Sequence, residues 1–194
     1  EAYEQYKAQR EETPEAIRLS VPIIKDIIRA YRIPILEIAG YEADDVIGTL
    51  ATKAGQQGIT TYMMTPDKDY GQLVTDHVFM YRPKYGDKEF EVMGVEQVKA
   101  KFDIQSPVQV IDMLGLMGDA SDNIPGCPGV GEKTAQKLIA EFGSIENLLE
   151  HTDQLKGALK IKVETNREMI TFSKFLATIK TDVPVSYTHL TLPT

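Results

Sequence analysis

Residues 118–135 read GDASDNIPGCPGVGEKTA, and the stretch makes two separate physical statements. Asp119 and Asp122 are three apart, which sets two carboxylates on one face of a helical turn. Gly129-Val130-Gly131 then forms a hairpin leading straight into a helix expected over 132–142. Glycine lets backbone approach a phosphate closely, and a helix N-terminus presents unpaired N–H groups to it. Lys133 and Lys137, one turn apart beside Thr134, add positive charge to one face. The spacing G-x-x-G-x-G is not the dinucleotide fingerprint, and no P-loop Gly-Lys-Ser/Thr is present. A structural loop between helices is the plainer alternative for the hairpin alone.

Two more acidic clusters lie upstream. Glu42, Asp44 and Asp45 follow an expected strand at 34–38 and open a helix expected over 43–57, closed by Gly58. Asp67 and Asp69 follow the next expected strand, 59–64. Both clusters therefore fall at the C-terminal edge of a sheet, where open α/β folds bind ligands. Crowded carboxylates raise one another's pKa unless a cation neutralises them. Oxygen ligands without His or Cys suit Mg²⁺ or Mn²⁺. Two such ions about 4 Å apart can hold the attacking and leaving oxygens of a phosphodiester. Taken singly, Asp44 and Asp45 read as helix N-terminal acids favoured by the dipole, and Asp67 and Asp69 as turn residues.

Composition narrows the classes. The chain has 194 residues, 42% of them hydrophobic, enough for a sizeable core. No apolar run approaches the ~20 residues of a bilayer crossing, and the charged opening residues argue against a signal peptide. A single cysteine, Cys127, excludes an internal disulfide and a cysteine zinc site. His77, His151 and His189 share no metal-ligand spacing. Net charge is −8, which taken in bulk disfavours a nucleic-acid partner. Setting the seven clustered acids aside leaves 22 acids against 21 bases, so the acidity is local.

Strands and helices alternate up to about residue 94. Thr13 is the expected N-cap of a first helix, with Pro22 as a kink or restart inside it. Further strands are expected at 78–82 and 89–92, around a turn at 85–88. This order implies a mainly parallel sheet in an α/β layer. Beyond Val95 only helices are expected, over 95–102, 108–117, 132–142, 144–151 and 162–179. Lys7 and Arg10 are three apart on one helical face, which on spacing alone is a solvated surface.

Together the stretches YKAQR, GYEADDVIGTLA, TPDKDYGQLV and GLMGDASDNIPGCPGVGEKTAQKLI resemble the 5′–3′ exonuclease domain of bacterial DNA polymerase I, of the flap endonuclease family. The resemblance runs from about Tyr3 to Val183. It implies a PIN-like (resolvase-like) α/β core over 1–106 and an all-α helix-three-turn-helix domain of helix-hairpin-helix type over 107–183, with an unstructured tail outside the family pattern over 184–194. It also implies a nuclease that hydrolyses phosphodiesters at DNA 5′ ends or flaps with two Mg²⁺ or Mn²⁺ ions. Glu42 and Asp44, with Asp45 close by, resemble the first metal's ligands; Asp67, Asp69, Asp119 and Asp122 resemble the second's. Lys7 and Arg10 match catalytic basic residues at the scissile phosphate. Gly129, Val130 and Gly131, with Lys133, Thr134 and Lys137, match the part that holds duplex DNA, where related enzymes often carry a potassium ion.

The family pattern begins with a strand and two aspartates that this chain lacks, so the first-metal site is expected to be incomplete. A fragment that binds DNA without cleaving it is the alternative that follows; a phosphotransferase using Asp67 and Asp69 leaves the hairpin without a role. The other expectations are a monomer, a polymerase domain in cis in the full-length protein, no membrane partner, and a bacterial cytoplasmic, nucleoid-associated location.

Overall fold

The computed structural model describes residues 7–8, 11–83 and 90–185. Three strands form one sheet in the order β1-β2-β3. β1 (Thr61–Met64) runs parallel to β2 (Val78–Pro83), with Met63 opposite Met80. β3 (Phe90–Met93) returns antiparallel, with Met80 opposite Met93. The expectation of a mainly parallel sheet thus holds for one of its two pairings; the β2–β3 connection is too short for the crossover a parallel pair needs. The expected turn at 85–88, and Glu89, lie outside the described residues.

α1 (Glu15–Ala30) has an apolar stripe but buries none of its residues. Its N-cap is Pro14, not Thr13, and no side chain caps it. The helix also runs unbroken through Pro22, giving up only the hydrogen bond that the proline nitrogen cannot make. The expected strand at 34–38 does not form: the described sheet consists of β1, β2 and β3 and pairs none of them with it. Leu36 and Ile38 instead pack against Val46, Val183 and Val185.

α2 (Ala43–Gln56) follows, and Gly58 ends it at φ +73°, the left-handed conformation typical of a helix stop. α3 (Val95–Phe102), a short 3-10 turn Pro107–Gln109 and α4 (Val110–Met117) lead to α5 (Glu132–Phe142). α6 (Ile145–Glu150) is capped by the Ser144 hydroxyl, which accepts from the Asn147 N–H at 3.2 Å. The single helix expected over 162–179 is two, α7 (Gly157–Thr165) and α8 (Arg167–Ala177). The break falls at Asn166, whose side-chain amide donates to the Lys162 carbonyl at 2.8 Å and competes with helix continuation.

One hydrophobic cluster runs from Met63 and Val78 in the sheet through Met113, Leu114 and Leu116 to Ile139, Leu148 and Ile170. α4 crosses α8 closely: a Cβ on Gly115 would stand 3.1 Å from the Lys174 backbone. After α8 the chain straps back along α2. The Lys180 N–H donates to Asp45 at 2.9 Å, the Val183 N–H to the Thr49 hydroxyl at 3.1 Å, and Lys53 to the Val185 carbonyl at 3.2 Å. Residues 184 and 185 were assigned to the tail on sequence; Val185 is buried, and 186–194 lie outside the described residues. The strap locks α2, and the acids at its start, onto the helical half.

Candidate metal centre and phosphate-facing hairpin

The first acidic cluster is built by the start of α2. Glu42 is the N-cap, and its side chain and that of Asp45 form a reciprocal capping box, satisfying orphan N–H groups of the first turn. Asp45 is occupied further, by the Lys180 N–H. Its oxygens therefore serve backbone groups. Asp44 is half-buried; burial first, then the charge of Glu42, pushes its carboxyl above the usual range, with Lys7 opposing.

The second cluster follows β1. Asp67 caps a 3-10 helix over Lys68–Leu73 by accepting the Asp69 N–H at 3.1 Å. Asp69 has its Oδ1 buried without a hydrogen-bond donor. Burial, then Asp67, with further contributions from Asp119 and Asp122, raises its pKa to about 7 against the pull of Lys68.

The third cluster sits in the loop after α4. Asp119 is buried, bridges to Ile124 as an isolated antiparallel pair, and accepts from the Ser121 N–H (2.8 Å) and hydroxyl (2.5 Å). Lys68 completes its shell at 2.5 Å. Hydrogen bonds from Lys68 and Ser121 outweigh burial and hold the Asp119 carboxyl below its ordinary value. Asp122 is also buried, and its carbonyl accepts the Lys7 N–H at 3.1 Å.

The tertiary structure brings the clusters toward one another. Asp69 feels acids of the second and third clusters; Tyr70, buried between, is pushed up by burial and then by Asp44, Asp67 and Asp45. Lys7 joins the first cluster to the third, since its side chain pairs with Glu42 while its backbone bonds to Asp122. Arg10 lies outside the described residues. Among the described residues no group of three or more His, Cys, Asp or Glu side chains forms a ready-made metal-ligand set. Lysines neutralise two of the acids instead: Lys7 at Glu42 and Lys68 at Asp119. The donor set still fits a divalent cation. It is all oxygen, two of its members are pushed toward protonation, and one buried oxygen has no donor.

The hairpin adjoins this loop. Gly118 and Gly126, both at positive φ, let the chain double back so closely that a Cβ on Gly126 would lie 2.3 Å from the Gly118 nitrogen. Gly126 N–H is held by the buried Ser173 hydroxyl at 2.9 Å, and Cys127 N–H by the Leu116 carbonyl at 2.7 Å. Val130 is buried, while Gly129 and Gly131 are exposed and, among the described residues, donate their N–H to no backbone acceptor. Gly131 is the N-cap of α5, so Lys133, Thr134 and Lys137 follow in its first turns. Lys133 and Lys137 are exposed.

Sequence reasoning missed Lys68, Tyr70, Ser121 and Lys162, whose ammonium lies 3.3 Å from the Gly129 carbonyl. Lys68 carried a signal, a base set between two acids; the others owe their roles to contacts between distant segments.

Models of the family match the whole length in two pieces: "5′-3′ exonuclease, N-terminal resolvase-like domain" over residues 1–103, and "5′-3′ exonuclease, C-terminal SAM fold" over residues 105–193. DNA polymerase I of Bacillus caldotenax is 45% identical over 186 residues, covering 95% of this chain and 21% of that protein. DNA polymerase I of Bacillus subtilis (strain 168) is 45% identical over 184 residues, with 94% and 21% covered. The chain thus spans about a fifth of these relatives' length. Among solved structures, zinc-bound T5 5′-exonuclease aligns with TM-score 0.72 at 23% identity, over 88% of this chain and 63% of that one. The T5 D15 flap endonuclease complex with DNA and metal ions reaches 0.75 at 23% identity, over 91% and 68%. The Rad2 catalytic core with DNA substrate gives 0.57 at 18%, over 93% and 59%.

Proposed function

The chain belongs to the 5′–3′ exonuclease family, and from that premise we propose that it hydrolyses phosphodiesters at DNA 5′ ends or flaps as the nuclease portion of a DNA polymerase I. The observation that carries this reading is Asp69, whose buried oxygen meets no donor among the described residues and whose pKa is raised to about 7 by burial, by Asp67 beside it and by Asp119 and Asp122 from a distant stretch. Binding alone would not need such charge beside a phosphate.

Asp67, Asp69, Asp119 and Asp122 would hold one divalent ion, and Glu42 and Asp44 another, with Asp45 fixing the α2 start through its backbone bonds. Bound there, Mg²⁺ or Mn²⁺ supplies a nucleophilic hydroxide and charge on the leaving oxygen. Lys7 steadies Glu42, and Lys7 and Arg10 would supply positive charge for the scissile phosphate. Gly129 and Gly131, with the buried Val130 holding the turn between them and Lys133, Thr134 and Lys137 following, would take the duplex backbone on backbone N–H groups and ammonium charge. A potassium ion at the hairpin would be held by the 129–131 segment and would supply positive charge toward the DNA backbone. The division into nuclease core and helical domain belongs near residue 106.

The relatives' length supports a polymerase in cis. Among the described residues no helix is long and apolar enough to cross a membrane; a monomer in the bacterial cytoplasm is the matching proposal.

Cleavage of a 5′-labelled flap duplex in Mg²⁺ tests the reading. Wild type should cut it, and Asp69→Asn should cut at least about 100-fold more slowly while binding unchanged. A second reading, DNA binding without cleavage, is favoured by the lysines on Glu42 and Asp119. Tight flap binding with no wild-type cleavage in either Mg²⁺ or Mn²⁺ would select it.

A further inference from the structure

We propose that Lys162 is a further duplex-contacting residue, its ammonium held on the hairpin by the Gly129 carbonyl and aimed at the phosphate that the hairpin N–H groups meet. This rests on the duplex-binding reading above and adds a residue from a different helix. Lys162 lies in the last turn of α7. Its neighbour Val163 is fully buried, which anchors that turn. Its own carbonyl accepts from the Asn166 N–H at 3.1 Å and side-chain amide at 2.8 Å, and lies 3.8 Å from the Cys127 sulfur. The backbone of Lys162 is thereby fixed against the hairpin base.

From that anchor the side chain reaches across rather than back over its own helix end. Its Nζ is 3.3 Å from the Gly129 oxygen, and a Cβ on Gly129 would meet that nitrogen at 2.5 Å. A lysine serving only the α7 dipole would sit over the carbonyls of its own last turn. Among the described residues the ammonium is in no ion pair with a carboxylate, unlike Lys7, Lys68 and Lys174. Its positive charge is felt at the hairpin base, where it opposes the burial that pushes the Cys127 thiol up. A positive charge fixed at the carbonyl of the exposed Gly129 is suited to an anionic backbone.

The experiment measures binding of a fluorescent blunt duplex over a KCl series, with wild type, Lys162→Met, Lys162→Arg and Lys133→Ala. Methionine keeps the aliphatic stem and removes only the charge. Loss of one phosphate contact should lower the salt slope by about 0.9 and weaken binding roughly eightfold at 0.1 M salt, while arginine should retain the wild-type slope. A purely structural lysine would shift the melting temperature and leave the slope alone. Wild-type slope in Lys162→Met, with a reduced slope in Lys133→Ala, would overturn the role of Lys162 and leave duplex binding standing. No measurable duplex binding by wild type would overturn both.

Discussion

The Lys68 ammonium stands 2.5 Å from a carboxylate oxygen of Asp119, 51 positions further along the chain. Lys68 is flanked in sequence by Asp67 and Asp69, so one base serves acids from two separate stretches. It acts as an internal counter-cation, and an incoming metal ion must compete with it. Lys68→Met should therefore raise Mn²⁺ affinity roughly two- to fivefold, the range of a partly exposed ion pair, when measured by calorimetry at pH 8. The metal-free protein should at the same time lose about 1 kcal/mol in urea unfolding. A fall in Mn²⁺ affinity would show that Lys68 assists the ion instead.

Asp69 sets a pH dependence whose sign is definite. Burial, then Asp67, raises its carboxyl to about 7 in the folded chain, against 3.8 for a free side chain. The folded state therefore holds the proton more tightly, and its stability falls as pH rises between those two values. Asp44 is shifted in the same direction. Without metal, the melting temperature should be lower at pH 8 than at pH 5.5. Asp69→Asn should flatten that difference, and Mg²⁺ should restore stability at pH 8 in wild type only. A wild-type protein more stable at pH 8 than at pH 5.5 without metal would contradict the assignment.

Two glycines of the loop should respond in opposite ways. Gly126 is at φ +62°, and a methyl there would collide with the Gly118 and Met117 backbone. Gly126→Ala should cost about 3 kcal/mol or more of stability. Gly131 has φ −97° and open space around its Cβ position. Gly131→Ala should melt like wild type yet bind duplex more weakly, because the methyl stands where a phosphate would approach. Equal duplex affinity would move the contact elsewhere on the hairpin.

Lys174 joins three helices: Asp112 of α4 at 2.6 Å and Glu146 of α6 at 2.7 Å, both from α8. Asp112 is buried and also accepts the Ile145 N–H at 3.0 Å. Lys174→Met leaves that carboxylate buried with one backbone donor, and should destabilise by about 2 to 3 kcal/mol. The double variant Lys174→Met with Asp112→Asn should recover part of the loss in chemical denaturation. A single variant as stable as wild type would mean that the Ile145 amide alone satisfies Asp112.

What the sequence determined by itself is what a few neighbouring residues decide. The α5 limits, the α2 start at the acids and the positions of β1 to β3 follow from capping residues, glycine conformations and apolar spacing, all of which act within one or two turns. The acids were legible as three clusters for the same reason. Tertiary structure alone decided what those acids face. Asp45 is held by Lys180 and Asp119 by Lys68, partners separated by far more chain than any periodicity spans. Pairing was likewise decided at long range: 34–38 joins no strand of the described sheet, because a strand requires a neighbour as well as a propensity. The same distinction places Lys162 at the hairpin. The sequence set it at the start of one helix over 162–179, whereas it lies in the last turn of α7. The 3.3 Å approach to Gly129 exists only because the buried Val163 turn packs there, and packing is a property of the whole core.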